Sequence, residues 1–429
     1  MSLKQSRFLQ LLRIQNKGIS TLHFGFLAAI LLSLFFSRFM LTVSIIGLAI
    51  GLLIGKLYYK TPIWQGKSKR LALKWMLLPA IVTLWYLVSF IYSNDLITAV
   101  KTTKVKALFV LIPSILLTLH NITKRQVSYL YHFFLFLVVV GSIWSLIQIP
   151  LQKINLTDYY SRGWVIPTVI HHIRFSLMTA FAAIISWFMV FRQPIEHLFK
   201  KPIYIALAVF FTVFLHVLAV RSGLIGFYIA SIFLVILNLA NGKKLLLKSL
   251  CIIIALAAIF AAYKSLPTLQ SKVNYTLYSF DRLIHTNTDL GDYSDNRRIL
   301  SYSAAVQVIK ENPLFGVGVG DMQHEINKYY KTHYPAANMH GVQPHNQYLL
   351  TATGIGLTGM LYLLCFNFLI LFFHFRKKNW LLVAFNLIFI FSFLVEDTLE
   401  MQIGVTTYLF FNYLGWNFLK EPQETTHEN

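Results

Sequence analysis

The chain has 429 residues, 56% of them hydrophobic and only 13% charged, and a formal net charge of +22. A soluble domain carries roughly a quarter of its residues charged, so these numbers exclude a water-soluble globular protein and describe an all-α, polytopic membrane protein. The positive balance does not point to nucleic acid, because the basic residues sit in short links between apolar runs rather than in one patch.

In chain order, about twelve apolar runs approach the roughly 20 residues that cross a bilayer. The first two cover 20–37 and 39–55, hinged at Ser37 and Arg38. Further spans are expected at 73–92, 105–120, 127–148, 173–191, 203–220, 222–240 and 247–264, and after a large loop at 347–373, 379–395 and 402–419. The first 17 residues are basic and polar, and no small-residue cleavage site follows, as in an uncleaved signal-anchor helix. Lys4, Arg7, Arg13 and Lys17 precede the first span; Lys56, Lys60, Lys67, Lys69 and Arg70 follow the second. Lys124-Arg125, Arg192 with Lys200-Lys201, Lys243-Lys244 and Arg376-Lys377-Lys378 continue the series on the same side. Both termini are therefore expected in the cytoplasm. Residues 1–264 then hold nine spans, 265–346 a large extracytoplasmic loop, 347–419 three more spans, and 420–429 a cytoplasmic polar tail. The two cysteines, Cys251 and Cys365, lie in apolar runs, so no disulfide framework is expected.

The loop has its own pattern. Ser294 or Asp295 can cap a helix that runs to about Lys310, with Ala304, Ala305, Val308 and Ile309 as its apolar stripe. Asn312-Pro313 stops it, Asp321 can cap a second helix over MQHEINKYYK, and Pro335 and Pro344 keep the return path extended.

Polar residues that could carry chemistry gather on the loop's face. Arg221 stands between two spans, either as a snorkelling anchor or as an anion ligand, and Gly223 beside it permits close backbone approach. Arg297 and Arg298 occupy the first turn of the loop helix, where the dipole disfavours cations, so propensity does not explain them. They suit either phosphate or a salt bridge to Asp281 or Asp292. His345, at the lip of the next span, is of the right type to take a proton near neutral pH. The GVGVGD run at 316–321 lacks nucleotide-fingerprint spacing and reads as a tight turn. His171, His172 and Arg174, after Arg162-Gly163-Trp164, have no Cys or carboxylate at ligand spacing and read as cavity lining, not a zinc site. Glu396, Asp397 and Glu400 can orient a histidine or pair with an arginine. No acidic cluster is evident that would hold a metal, and no cofactor is expected.

At these residues the chain resembles the O-antigen ligase and polymerase superfamily of bacterial membrane glycosyltransferases. The resemblance rests on an R-S-G turn at Arg221, on Arg298 with Tyr302 four residues on, and on N-P-L-x-G-x-G-x-G from Asn312 to Gly320. H-N-x-Y-L from His345 to Leu349 and G-x-G-L-x-G from Gly354 to Gly359 follow, so that the motifs span about 220–360. The resemblance implies transfer of a glycan from undecaprenyl diphosphate to a hydroxyl of lipid A-core or a similar acceptor. The reaction would run at the periplasmic face of the bacterial inner membrane, without a metal and with inversion. It implies that Arg221 and Arg298, with Arg297 beside it, bind the diphosphate and that His345 activates the acceptor hydroxyl. Arg174, His172, Asn346, Tyr302 and Glu396 are the expected cavity lining. Membrane lipids are the remaining expected partner. A polymerase of the same superfamily would share this chemistry. A twelve-span transporter or flippase is the rival of another class; span centres nearly free of charge count against it.

Overall fold

The computed structural model describes residues 3–59, 69–119, 122–191, 198–240, 294–335 and 337–415, with short pieces between 270 and 278. The expected ninth span at 247–264, the tail at 420–429, and Asp281 and Asp292 lie outside the described residues. Among those described, there is no strand.

The helices run α1 Leu3–Phe36, α2 Arg38–Tyr59, α3 Lys69–Val88, α4 Leu96–Lys106, α5 Leu108–Thr118, α6 Lys124–Leu151, α7 Leu156–Ser161, α8 His172–Phe191, α9 Lys201–Leu218 and α10 Arg221–Ala240. The loop contributes α11 Ser294–Glu311 and α12 Met322–His333, and α13 Gln347–Arg376, α14 Trp380–Val395 and α15 Gln402–Leu414 follow. Among the described residues, six helices are long and apolar enough to cross a membrane, within α2, α3, α6, α8, α9 and α13. Ser20–Phe36, Arg221–Leu237 and Trp380–Val395 are shorter apolar helices. The chain is a multi-pass membrane protein.

α8 is the axis of the bundle. Every residue from Arg174 to Ser186 is buried, and α9, α10 and α14 pack around it. Small residues set the closest approaches, as is usual between membrane helices. A Cβ on Gly223 would lie 2.7 Å from the backbone carbon of Ser176, so the glycine of the R-S-G turn is what lets α10 start against α8. Several buried polar groups of α13, α14 and α15 satisfy one another. Asn367 donates to the Tyr348 hydroxyl (3.2 Å) and accepts from the Tyr408 hydroxyl (2.9 Å), and Asn386 donates to Asn412 (2.7 Å).

Two expected spans differ from the observed helices. In place of a span at 105–120 there are α4 and α5, divided at Ala107. The 11 residues of α5 rise only about 16 Å, short of the roughly 30 Å hydrocarbon core. The second difference is in α13, which is broken at Ile355 (φ −127°, ψ 18°) and Gly356 (φ 74°, ψ 177°). Tyr348 and Asn367 touch although 19 residues separate them; a straight helix would hold them about 28 Å apart. The first two turns of α13 therefore fold back across the rest.

A broken helix frees backbone groups that lipid cannot satisfy. The glycine run from the loop supplies the partners. Val317 N–H donates to Thr353 O (2.9 Å), Gly318 N–H to Gly354 O (3.0 Å), and Leu357 N–H to Pro313 O (2.8 Å). A Cβ on Gly316 (φ 70°) would lie 2.6 Å from Thr353 O, and one on Gly356 would lie 2.0 Å from Leu314 O. The run expected as a tight turn is thus a strap bonded to the break.

Beyond the strap, α11 and α12 form a small core of Leu300, Ala304, Val308, Ile326, Tyr330, Met339 and Val342. Two expected caps act otherwise. Asp295 lies inside the first turn of α11 and bonds Arg221. Asp321 makes no cap hydrogen bond to α12; its carboxylate accepts from the Asn94 and Asp95 backbone N–H groups at 2.6 and 3.1 Å. It pins the link before α4 to the loop.

Candidate active site

α11 meets the bundle along one face. Asp295, Arg298 and Tyr302 follow each other at spacings of three and four, so they point the same way. Asp295 takes both terminal nitrogens of Arg221 (3.1 and 2.5 Å). Arg298 donates to Glu396 Oε1 (2.5 Å), and the Tyr302 hydroxyl donates to His345 O (2.7 Å). The loop helix is a lid held over the ends of α8, α10, α13 and α14.

Arg221 reaches its place through a tight turn. Ala219 adopts a left-handed conformation (φ 51°) after α9, and α10 begins two residues later. His345 is fixed from both sides. Asn346 caps α13, its Oδ1 accepting from Tyr348 N–H (2.9 Å) and Leu349 N–H (3.0 Å), and its Nδ2 donates to Leu394 O (2.9 Å) at the end of α14.

The centre of the arrangement is Glu396, 2% exposed, in the extended residue that ends α14. Its Oε1 holds Arg298, and its Oε2 lies 3.5 Å from His345 Nδ1. Both Oε2 and Nδ1 are buried, and neither has a hydrogen-bond partner. That distance closes to a hydrogen bond with a small shift of the ring. An Nδ1–H directed at Glu396 leaves Nε2 as the basic nitrogen on the open side, the logic by which a buried carboxylate sets the tautomer of a catalytic histidine.

Asp397, the next residue, lies 3.8 Å from Arg174. Burial, the largest influence, pushes its carboxyl up; Arg174 opposes this. His171 stacks on His172, with ring centroids 4.4 Å apart. Burial and then Arg174 hold the His171 imidazole below its usual range, while Glu396 acts against them. His171 is thus neutral near pH 7.

The structure brings Arg221, Arg298, Tyr302, His345, Asn346, Glu396 and Arg174 to one end of the bundle, with His171 and His172 at its edge. Arg297 is placed differently: it lies in the electrostatic surroundings of Tyr330, in the lid. Arg162 pairs with Asp158 (3.2 Å) on an exposed surface. The acidic cluster that was not evident along the chain does form in space: ligand atoms of His345, Glu396 and Asp397 lie within 4.8 Å of one another. Arg298 and Arg174 already face its two carboxylates, so a cation there would meet two guanidinium charges.

Sequence reasoning missed Lys106 and Arg38. Lys106 is 2% exposed and donates to Glu400 Oε1 (2.6 Å) and Leu399 O (2.8 Å). A lysine just inside an expected span was the available signal. Arg38 begins α2 at the same end.

The fold and the site define a helical membrane protein with polar groups gathered under a strapped lid. Residues 203–364 match the family model described as O-Antigen ligase, so this part of the chain is similar to the O-antigen ligase superfamily of membrane glycosyltransferase-like enzymes. The matched segment contains Arg221, Asp295, Arg298, Tyr302 and His345. No curated protein gives a match to the chain.

Proposed function

We propose that the protein is a ligase-type glycosyltransferase that moves a glycan from undecaprenyl diphosphate to an acceptor hydroxyl, lipid A-core or similar, at the periplasmic face of a bacterial inner membrane. In this reading both termini are cytoplasmic, and 265–346 is the periplasmic loop. The observation that carries it is the placement of a candidate base and a candidate anion ligand, His345 and Arg298, on opposite oxygens of the buried Glu396.

The chemistry follows from the geometry. The acceptor oxygen attacks the anomeric carbon and gives its proton to His345 Nε2. The anomeric C–O bond breaks, its electron pair leaves with the diphosphate, and one displacement inverts the centre. Arg221 and Arg298 stabilise the charge that grows on the leaving group. A guanidinium has five donors, and Arg298 gives one of them to Glu396, so others can turn to phosphate oxygens. Arg297, in the lid, adds positive potential at longer range. The diphosphate is itself a good leaving group, so this scheme calls for no metal.

The test is purified protein with an undecaprenyl-diphosphate glycan and candidate acceptors. His345→Ala and Arg221→Ala are expected to abolish transfer while leaving the protein in the membrane. Full activity in both variants would sink the mechanism. Elongation of the lipid-linked glycan without any acceptor would assign the chain to the polymerase branch.

A further inference from the structure

The diphosphate scheme uses Arg221 and Arg298 and leaves Arg174 without a task. Arg174 is 7% exposed, yet its Nε has no hydrogen-bond partner, and its nearest carboxylate oxygen, on Asp397, is 3.8 Å away. A buried guanidinium that makes no hydrogen bond is costly. The other buried or half-buried cations of this end are better served: Lys106, Arg221 and Arg298 each bond a carboxylate at 2.6 Å, 2.5 Å and 2.5 Å.

A second arginine is near enough for its charge to act on Arg174. Arg38 starts α2 and is exposed, and among the described residues no carboxylate lies within ion-pair distance of it. Two contacts fix its neighbourhood. Phe35, three residues before it, packs edge-on against Phe175, which follows Arg174, at 6.3 Å between ring centroids. Thr42, one turn after it, accepts from Gln402 (2.9 Å), the first residue of α15 beyond the Glu396–Glu400 turn. An arginine at a helix N-terminus opposes the dipole, and Ser37 already takes the Met40 and Leu41 N–H groups, so an anion here would be held mainly by the guanidinium side chains. His171, the residue before α8, lies within the electrostatic reach of these groups and of His345. The fields of Arg174 and, more weakly, Arg38 reach it.

We propose that Arg174 and Arg38, with His171, form a second anion subsite, on the Asp397 side of the turn, that takes a phosphate group separate from the donor diphosphate. The substrate assignment rests on the transferase reading: the donor's diphosphate takes Arg221 and Arg298 across Glu396, so the phosphate at Arg174 belongs to the acceptor or to an anionic lipid lying beside it. Two facing arginines suit a tetrahedral dianion better than a lone carboxylate.

The experiment is arginine modification. Protein in phosphatidylcholine nanodiscs is treated with phenylglyoxal, and the rate at Arg38 is read by peptide mass spectrometry with and without inorganic phosphate. Phosphate is expected to slow modification of Arg38 about tenfold, the low end of the scale of a charge-assisted hydrogen bond. Arg174→Gln should remove the protection. Arg174→Lys, which keeps the charge and is the safer fold, should weaken it. Phosphatidylglycerol nanodiscs without added phosphate separate the sources: protection there assigns the subsite to a lipid headgroup, and protection by phosphate alone assigns it to an acceptor group. No protection in either arm, or equal protection in both Arg174 variants, overturns the proposal. The assay needs no glycan transfer, so a failed transferase reading and a failed subsite are told apart.

Discussion

Glu396 and Glu400 sit four residues apart on one short turn, and they are used in opposite ways. Glu400 is sealed. Its Oε1 accepts from Lys106 and from Gln347 Nε2 (2.7 Å), while Gln347 Oε1 accepts from Leu399 N–H (2.7 Å). Glu396 is more deeply buried, yet one of its oxygens has no hydrogen-bond donor and looks at His345. A sealed pair fixes a backbone; an unfinished one is ready to change partners. The turn is held still by its last residue so that its first can act.

Breaking the sealed pair should have the largest effect. Lys106→Met leaves Glu400 buried without its cation and should cost about 3–5 kcal/mol of stability, read as thermal unfolding in detergent. A variant as stable as the parent would show that Glu400 is not fixed by Lys106. Glu396→Gln comes next. It keeps the shape but loses the charge that orients His345, and transfer should fall about 10²-fold, with folding less affected than in Lys106→Met. If transfer is unchanged, Glu396 belongs with Glu400 as scaffold. Tyr302→Phe removes one hydrogen bond to the His345 backbone and should cost about 1 kcal/mol. The readout is a few-fold lower transfer rate at unchanged melting temperature.

Asp397→Asn is the smallest and tests pH. Burial raises the Asp397 carboxyl in the folded state, so folding favours its protonated form. The stability that comes from this is present in acid and is lost as pH rises through the folded value. Unfolding of Asp397→Asn, followed from acid to neutral pH, should lack that decline. An identical pH profile in both proteins would show that Asp397 is held charged by Arg174 throughout.

Much of this was legible in the chain. Asn312-Pro313 did end the lid helix, at Glu311, and His345 did stand just before α13. The choice between Arg297 and Arg298 was written in spacing: Arg298 shares a helix face with Asp295 and Tyr302, and Arg297 does not. What escaped depended on contacts remote in sequence. The break in α13 looks like ordinary apolar sequence, because its carbonyls are satisfied by residues some 36 positions earlier, from Val317 and Gly318 to Thr353 and Gly354. Asp321 looked like a cap because local rules favour that reading, yet two backbone N–H groups more than 200 residues away offered it better hydrogen bonds.

The strap across α13 also dictates which edge of the lid can give way. On that side the lid is joined to the membrane helices by main-chain hydrogen bonds, with glycines too tightly enclosed to admit a side chain. Along α11 it is joined by side-chain contacts that include those at Asp295, Arg298 and Tyr302, two of which involve arginines that an anionic substrate would compete for. The strap is therefore the hinge pin and α11 the free edge. In the proposed reaction, a polyprenyl diphosphate arriving from the bilayer would loosen the latch by the charge that it offers to those arginines.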